Sequence, residues 1–102
     1  KGAEAESAPT MYTHRFYFQY GAYVPDEYLK DVKRPEDLSF AKCAQDRLIV
    51  GSPGDCLEQL QQWKEAIQPD YVIIRFRQPG GPSHQKTLEA IRRFGEQVIP
   101  KL

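Results

Sequence analysis

The sequence has no surplus of charge of either sign and no long hydrophobic run. Its 102 residues carry 14 Lys plus Arg against 14 Asp plus Glu, so the formal net charge is zero. Proteins that bind nucleic acid or anionic membranes usually carry a basic surplus, so we expect neither partner. No apolar stretch approaches the roughly 18 residues that a transmembrane helix needs. A chain of this length makes at most one domain.

Cysteine and histidine are also scarce, with two of each in the chain. Cys43, Cys56, His14 and His84 form no C-x-x-C or H-x-x-x-H pattern. The spacing of a zinc site is therefore missing, and we expect no metal. The cysteine spacing permits a disulfide, but Cys56 falls on the apolar stripe of a predicted helix, where a free thiol packs as a small hydrophobe. We favour two free thiols, which suit a reducing cytoplasm.

The second half of the chain has the clearest pattern. The apolar run 47–50 ends at a Gly-Ser-Pro-Gly-Asp sequence, in which Ser52 has the position of a helix N-cap and Asp55 that of the third helical residue. Apolar residues then recur at helical spacing up to the helix-stopping Pro69. We expect one helical face, directed at the core, to contain Cys56, Leu60, Trp63 and Ile67.

A second apolar run and a second helical pattern follow. Residues 71–76 read Tyr-Val-Ile-Ile-Arg-Phe, which is typical of a parallel strand that is covered on both faces. A Pro-Gly-Gly-Pro loop and a candidate N-cap, Ser83, precede a helix that ends near Pro100 and whose apolar stripe contains Leu88, Ile91, Phe94 and Val98. The order strand, helix, strand, helix predicts an α/β fold with right-handed crossovers.

The first half is less regular. Aromatic residues over 4–20 favour a helix, although a strand over 15–20 is the competing interpretation. Residues 22–46 predict an irregular excursion with short helical turns. We therefore divide the chain into a helical and irregular, aromatic-rich segment, 1–46, and two βα units, 47–102.

Two βα units are too few to cover the apolar run 71–76 on both faces. The chain is expected to complete something larger, either a longer polypeptide or an assembly in which a second subunit finishes the sheet. A small α/β domain that stands alone is the alternative.

Three motifs in order resemble the C-terminal end of luciferase-like, flavin-dependent monooxygenases. They are Leu48-Ile-Val-Gly-Ser-Pro-Gly-Asp55, Asp70-Tyr-Val-Ile-Ile-Arg-Phe76 and Phe94-Gly-Glu-Gln-Val-Ile-Pro100, and the match covers about residues 47–100. The resemblance rests on the order and spacing of the three motifs together. One departure is the Gln68-Pro69-Asp70 turn, where family members usually carry Gly. A left-handed Gln costs on the order of 1 kcal/mol more than Gly, so a different helix end is expected.

The resemblance implies a (β/α)8 TIM barrel of which this chain supplies the last two units, βαβα, incomplete as a barrel on its own. It also implies an oxidoreductase that binds reduced flavin, which is FMN or in some members a deazaflavin, and the family's monooxygenases oxidise a small organic substrate through a flavin hydroperoxide. Most flavin and catalytic contacts in the family come from earlier strands, so the chain alone is expected to be inactive, and we assign no catalytic residue.

Active-site groups of such barrels lie where strands end and helices begin. This places Arg75, Arg77, Gly80 and Gly81 at the rim of the cofactor pocket. The guanidinium groups could bind a flavin phosphate or a substrate anion, and pairing with a rim carboxylate is the equal alternative. The two glycines could present backbone N–H groups to an anion, although a plain hinge is the more ordinary interpretation.

For the other candidate residues, a structural role is favoured over a catalytic or binding role. Ser52 is expected to be an N-cap rather than a nucleophile. His84 is expected to be a solvated residue at a helix start rather than an acid or base. An aromatic cluster could line a cleft or form a subunit contact, with packing against the barrel as the default; it contains Tyr12, Phe16, Tyr17, Phe18, Tyr20 and Tyr23.

The leading functional hypothesis is therefore the C-terminal part of a flavin-dependent oxidoreductase that forms homo-oligomers. The alternative is a small non-catalytic α/β module that acts in oligomerisation or protein interaction.

Overall fold

A computed structural model of the chain describes residues 2–22, 27, 29–45 and 47–102. The chain divides into two compact units, Lys1–Leu48 and Ile49–Leu102. The α-helices of the first unit are α1 (Gly2–Ala5), α2 (Ala8–Gln19) and α3 (Phe40–Ala44), and a 3-10 turn spans Pro35–Asp37. The second unit contains α4 (Pro53–Ile67), α5 (His84–Gln97) and a 3-10 turn at Ile99–Lys101.

The α/β prediction is wrong for the part of the chain that the structure describes, because that part contains no β-strand. Both predicted strands, 47–50 and 71–76, are irregular segments. The fold is helical, and the βαβα portion of a TIM barrel is not formed.

The backbone groups that a strand ladder needs are used elsewhere or have no partner. The N–H groups of Arg47 and Leu48 donate to the Ala44 carbonyl and so close the end of α3. The N–H and carbonyl groups of Val50 bond to the side chain of Gln59. Among the described residues, the backbone of 69–77 forms no hydrogen bond with other backbone groups. Neither segment therefore finds a neighbouring strand.

The two predicted helices of the second half are confirmed. Ser52 Oγ accepts the N–H of Asp55 at 3.3 Å, and the Asp55 carboxylate accepts the N–H of Ser52 at 2.8 Å, which completes a capping box at the start of α4. Ser83 Oγ accepts the N–H of Lys86 at 3.3 Å and so caps α5. Gln68 ends α4 in the left-handed conformation, with φ 51° and ψ 55°, so the expectation of a different helix end is wrong.

The predicted core face of α4 is only partly covered. Leu60 is buried, but Trp63 is 40% exposed, and Ile67 is more exposed still. The prediction that Trp63 faces the core is therefore wrong. Every residue from 61 to 70 is exposed, and the described chain covers the C-terminal half of α4 only in part, for example where Lys64 Nζ donates to the Leu102 carbonyl.

Helix α5 repeats this pattern. Val98, just beyond its last turn, is buried, and Phe94 is half-buried, whereas Leu88 and Ile91 are exposed. The unit Ile49–Leu102 thus leaves much of both apolar stripes in contact with solvent.

The first unit has a more continuous core. The helix favoured over 4–20 is confirmed in its main part by α2, with Pro9 in the first turn where a helix tolerates it. Met11 on α2 packs with four other buried residues, Leu29, Val32, Leu38 and Cys43, and Phe18 and Phe40 lie against this cluster. No helix of the described residues is both long enough and apolar enough to cross a membrane.

Candidate functional site

The predicted rim residues lie in one compact loop between the irregular segment 71–76 and α5. The N–H of Gly81 donates to the Gln78 carbonyl at 2.8 Å, and Arg77 Nε donates to the Pro82 carbonyl at 2.7 Å. Gly80 has a φ of 74°, which favours glycine. These contacts fold residues 77–82 into a closed turn in front of α5.

Gly81 is required by close packing. A Cβ at this position would lie 2.8 Å from the Gln78 carbonyl oxygen, which is backbone and cannot move aside cheaply. Because the Gly81 N–H is already bonded to the same oxygen, it is not available to an anion. The turn therefore fixes the backbone conformation of this loop, and the Gly81 N–H does not serve as the anion-binding donor that the sequence suggested.

The two arginines are directed away from the body of the unit. Arg75 and Arg77 are exposed, whereas Phe76 and Gln78, which alternate with them, are half-buried. Phe76 packs edge-to-face against Phe94 of α5, with ring centroids 5.4 Å apart. This contact anchors the loop on α5 and leaves both guanidinium groups on the solvent side.

Neither Arg75 nor Arg77 forms an ion pair with a carboxylate among the described residues. Arg75 reaches only the amide oxygen of Gln78, at 3.4 Å, and Arg77 is held by the carbonyl of Pro82. Carbonyl and amide oxygens orient a guanidinium without neutralising it. The loop thus presents two uncompensated positive charges, which an anionic group could bind.

Ser52 has the structural role that the sequence predicts. Its Oγ donates to the Asp55 carboxylate at 2.7 Å and accepts the N–H of the same residue. The hydrogen bonds from Ser52 lower the pKa of Asp55. The hydroxyl is thus used in the cap of α4. The preceding residue, Gly51, has a φ of 135°, and a side chain there would clash with Asp55.

Gln59 is a structural residue of α4 that lies outside the apolar stripe predicted for this helix. It is half-buried, its Nε2 donates to the Val50 carbonyl at 2.8 Å, and its Oε1 accepts the Val50 N–H at 3.4 Å. One side chain thus satisfies both backbone groups of a residue that the pattern assigned to a strand. No sequence signal distinguishes it from the neighbouring glutamines of α4.

Both cysteines are free thiols, and the two histidines differ in their exposure. Cys43 and Cys56 are free, and burial raises the pKa of both thiols, so both are protonated at neutral pH. His84 is exposed at the start of α5, as predicted. Burial and the charge of Arg47 lower the pKa of His14. The described residues contain no group of three His, Cys, Asp or Glu side chains that could hold a metal ion.

The aromatic cluster of α2 is largely exposed rather than packed. Tyr12, Phe16, Tyr17 and Tyr20 are exposed, and the rings of Phe16 and Tyr20 lie 4.8 Å apart. Of the described members of this cluster, Phe18 alone contacts the core of its unit. Tyr23, the remaining member, lies outside the described residues.

Comparison of the chain with protein-family models, with curated proteins and with solved structures gives no match.

Proposed function

We propose that this chain is the C-terminal part of a luciferase-like, flavin-dependent oxidoreductase and that it acts together with further polypeptide. The proposal rests on the order and spacing of the three motifs in residues 47–100. It does not depend on a barrel within this chain, because the described residues form none.

One structural observation supports the need for further polypeptide. Tyr71, Val72 and Ile73, in the second of these motifs, are exposed, and the backbone around them forms no hydrogen bond with other described backbone groups. Exposed apolar surface costs roughly 25 cal/mol per Å², and contiguous patches of it mark interaction sites. A partner surface is the simplest explanation of an apolar segment in this state.

The loop with Arg75 and Arg77 would form the edge of the cofactor pocket. Two exposed guanidinium groups, anchored through Phe76 and lacking carboxylate partners, suit an anionic end such as a phosphate of FMN or an acidic substrate. The flavin ring would be held by the partner polypeptide, because the resemblance implies that most flavin contacts come from earlier strands. Reduced FMN, when bound, would supply two electrons to dioxygen, one atom of which is transferred to a small organic substrate while the other leaves as water; a deazaflavin in its place would exchange a hydride with the substrate.

The test is a titration of reduced FMN into the 102-residue chain and into a longer polypeptide that contains it. We expect tight binding only to the longer polypeptide. There, Arg77→Ala should weaken FMN binding about tenfold or more, as the loss of a charged contact to phosphate implies. Riboflavin, which lacks the phosphate, should bind the variant and the parent equally.

Arg93→Ala is the matched control, because Arg93 is also exposed but already pairs with Glu89. It should leave FMN binding unchanged. If the longer polypeptide neither binds reduced flavin nor oxidises anything in its presence, the enzyme proposal is wrong.

The second candidate is a non-catalytic association module. The exposed aromatic surface of α2 and the exposed segment 71–73 both favour it. Solution size and circular dichroism address this candidate, because a well-folded monomer with a cooperative melting transition would count against both association and incompleteness.

A further inference from the structure

The exposure of residues 71–76 alternates along the chain. Tyr71 and Ile73 are 82% and 84% exposed and Arg75 is also exposed, whereas Val72 between them is 54% exposed and Ile74 and Phe76 are half-buried. A period of two is the signature of an extended backbone with one side on the body of the unit. The other side presents Tyr71, Ile73 and Arg75 to solvent.

The backbone of this segment also lacks backbone hydrogen-bond partners in the part of the chain that the structure describes. Within the described chain, residues 69–77 neither donate nor accept a hydrogen bond to other backbone groups. An extended, apolar segment with free N–H and carbonyl groups is a template for pairing with another extended segment.

We propose that two copies of this chain pair through residues 71–75, antiparallel and centred on Ile73. This inference rests on the proposed function in one respect: both proposals require that another surface cover residues 71–75. Here a second copy of the chain supplies that surface. The pairing uses Arg75, one of the two loop arginines, and leaves Arg77 outside the ladder for an anionic ligand.

Symmetry fixes which residues meet. When a two-fold axis relates two identical antiparallel strands, equivalent side chains of both strands point to the same side of the ladder. The residue two positions before the central residue of one strand then lies opposite the residue two positions after the central residue of the other. Tyr71 then lies opposite Arg75 of the second copy, and Ile73 lies opposite its own counterpart. On the other face, Val72 lies opposite Ile74.

These pairs are chemically complementary. Arg75 can lie across the Tyr71 ring of the second copy, which gives a cation–π contact at each end of the ladder. The Ile73 pair and the two Val72–Ile74 pairs are apolar. Parallel pairing in register would instead set Arg75 against Arg75, and this repulsion selects the antiparallel arrangement.

The alternative antiparallel register, centred on Ile74, fits less well. It would place the aliphatic Ile73 opposite Arg75 and would match Tyr71 with Arg77, whose 2.7 Å hydrogen bond to the Pro82 carbonyl is shorter than the 3.4 Å bond from Arg75 to Gln78. The Ile73 register also has a natural limit, because Pro69 has no N–H to extend the ladder beyond Asp70.

The first test measures the mass of the 102-residue chain by sedimentation equilibrium. We expect a monomer–dimer equilibrium whose dissociation constant rises at least about 100-fold in Ile73→Lys, because two isoleucine contacts are replaced by facing charges. Ile67→Lys is the matched control, since Ile67 is exposed on α4 outside the segment. It should dimerise like the parent chain, and far-UV circular dichroism should show equal helix content in all three proteins.

The second test checks the register by exchanging charges. Tyr71→Lys places Lys opposite Arg75 and should weaken the dimer about tenfold. The double variant Tyr71→Lys/Arg75→Glu places Lys opposite Glu and should return the dissociation constant to within about threefold of the parent value. Recovery requires that positions 71 and 75 face each other across the two-fold axis.

A strictly monomeric parent chain, open-ended oligomers, an Ile73→Lys variant that still dimerises normally, or a double variant as weak as Tyr71→Lys alone would each overturn the proposal. None of these results bears on flavin binding by the longer polypeptide. Failure of the flavin titration, in turn, would leave the pairing of the 102-residue chain unaffected.

Discussion

At the scale of single residues, backbone conformation decides where α4 begins and ends. Gly51 has a φ that other residues rarely adopt, and its Cα lies against Asp55 of the capping box. Gln68 has a positive φ at the other end, although its side chain gives it no preference for that region. The residue at the start of α4 therefore suits its backbone conformation, whereas the residue at the end is strained.

Gln68→Gly should raise the free energy of unfolding by about 0.5–1 kcal/mol. Glycine removes the left-handed strain of about 1–2 kcal/mol but gains freedom in the unfolded chain, which offsets part of the benefit. Urea-induced unfolding followed by circular dichroism measures the difference.

Gln62→Gly is the control for this prediction. Gln62 is exposed in the interior of α4, so the same change there should lower the stability by about 1 kcal/mol. Equal effects at both positions would contradict a left-handed Gln68.

At the scale of elements, helices α4 and α5 could be predicted from the sequence, whereas the irregular state of 47–50 and 71–76 could not. Ser52, Asp55 and Ser83 identify helix starts through contacts within three residues, so local sequence suffices. The apolar runs 47–50 and 71–76 carry β-propensity, but a strand exists only beside another strand, and that partner is not encoded in the run itself.

The candidate site follows the same division. The alternation of Arg75 and Arg77 with half-buried neighbours follows from chain geometry. The turn that holds Arg77, and the capture of Val50 by Gln59, depend on contacts whose geometry the sequence does not specify. Sequence therefore indicates which residues share a side, and the structure is needed to show which donors are already used.

Leu60→Ala should lower the stability of the unit Ile49–Leu102 by about 2–4 kcal/mol, because Leu60 is one of its few buried side chains. The control is Leu88→Ala on α5, where the side chain is exposed and the expected loss is below about 1 kcal/mol. Thermal unfolding of both variants measures the difference, and equal losses would show that α5 is covered at Leu88.

Acid should weaken α5 through Glu89. Hydrogen bonds from Arg92 and Arg93 lower the pKa of Glu89 from its ordinary 4.5 to about 2. Its contribution to stability is therefore complete above about pH 4.5 and is lost as the pH falls towards 2. In Glu89→Gln this part of the pH dependence should disappear.

The measurement is the free energy of unfolding of both proteins between these pH values. Because the three side chains are exposed, added salt should reduce the difference between the parent and the variant. A difference that is constant with pH would contradict the ion-pair origin.

At the scale of the whole molecule, local stability should vary sharply along the chain. The amides of α4 are held in a capped helix, whereas those of 70–77 have no backbone partner among the described residues. Hydrogen exchange of the monomer should therefore be slow within α4 and close to the unfolded rate at residues 72–74. Raising the chain concentration should slow exchange at 72–74 if the copies pair, and protection that is already complete in the monomer would contradict the unpaired state.

The partial exposure of Trp63 has a spectroscopic consequence. It is the chain's single tryptophan, and its side chain, in the C-terminal half of α4, is 40% exposed. Indole emission moves to shorter wavelength when water leaves the ring, so intrinsic fluorescence reports on this helix without any label. A shorter emission wavelength of Trp63 in the longer polypeptide than in the 102-residue chain would report cover of α4, whereas pairing through 71–75 alone would leave the emission wavelength unchanged. The molecule thus carries its own optical probe for telling these two modes of assembly apart.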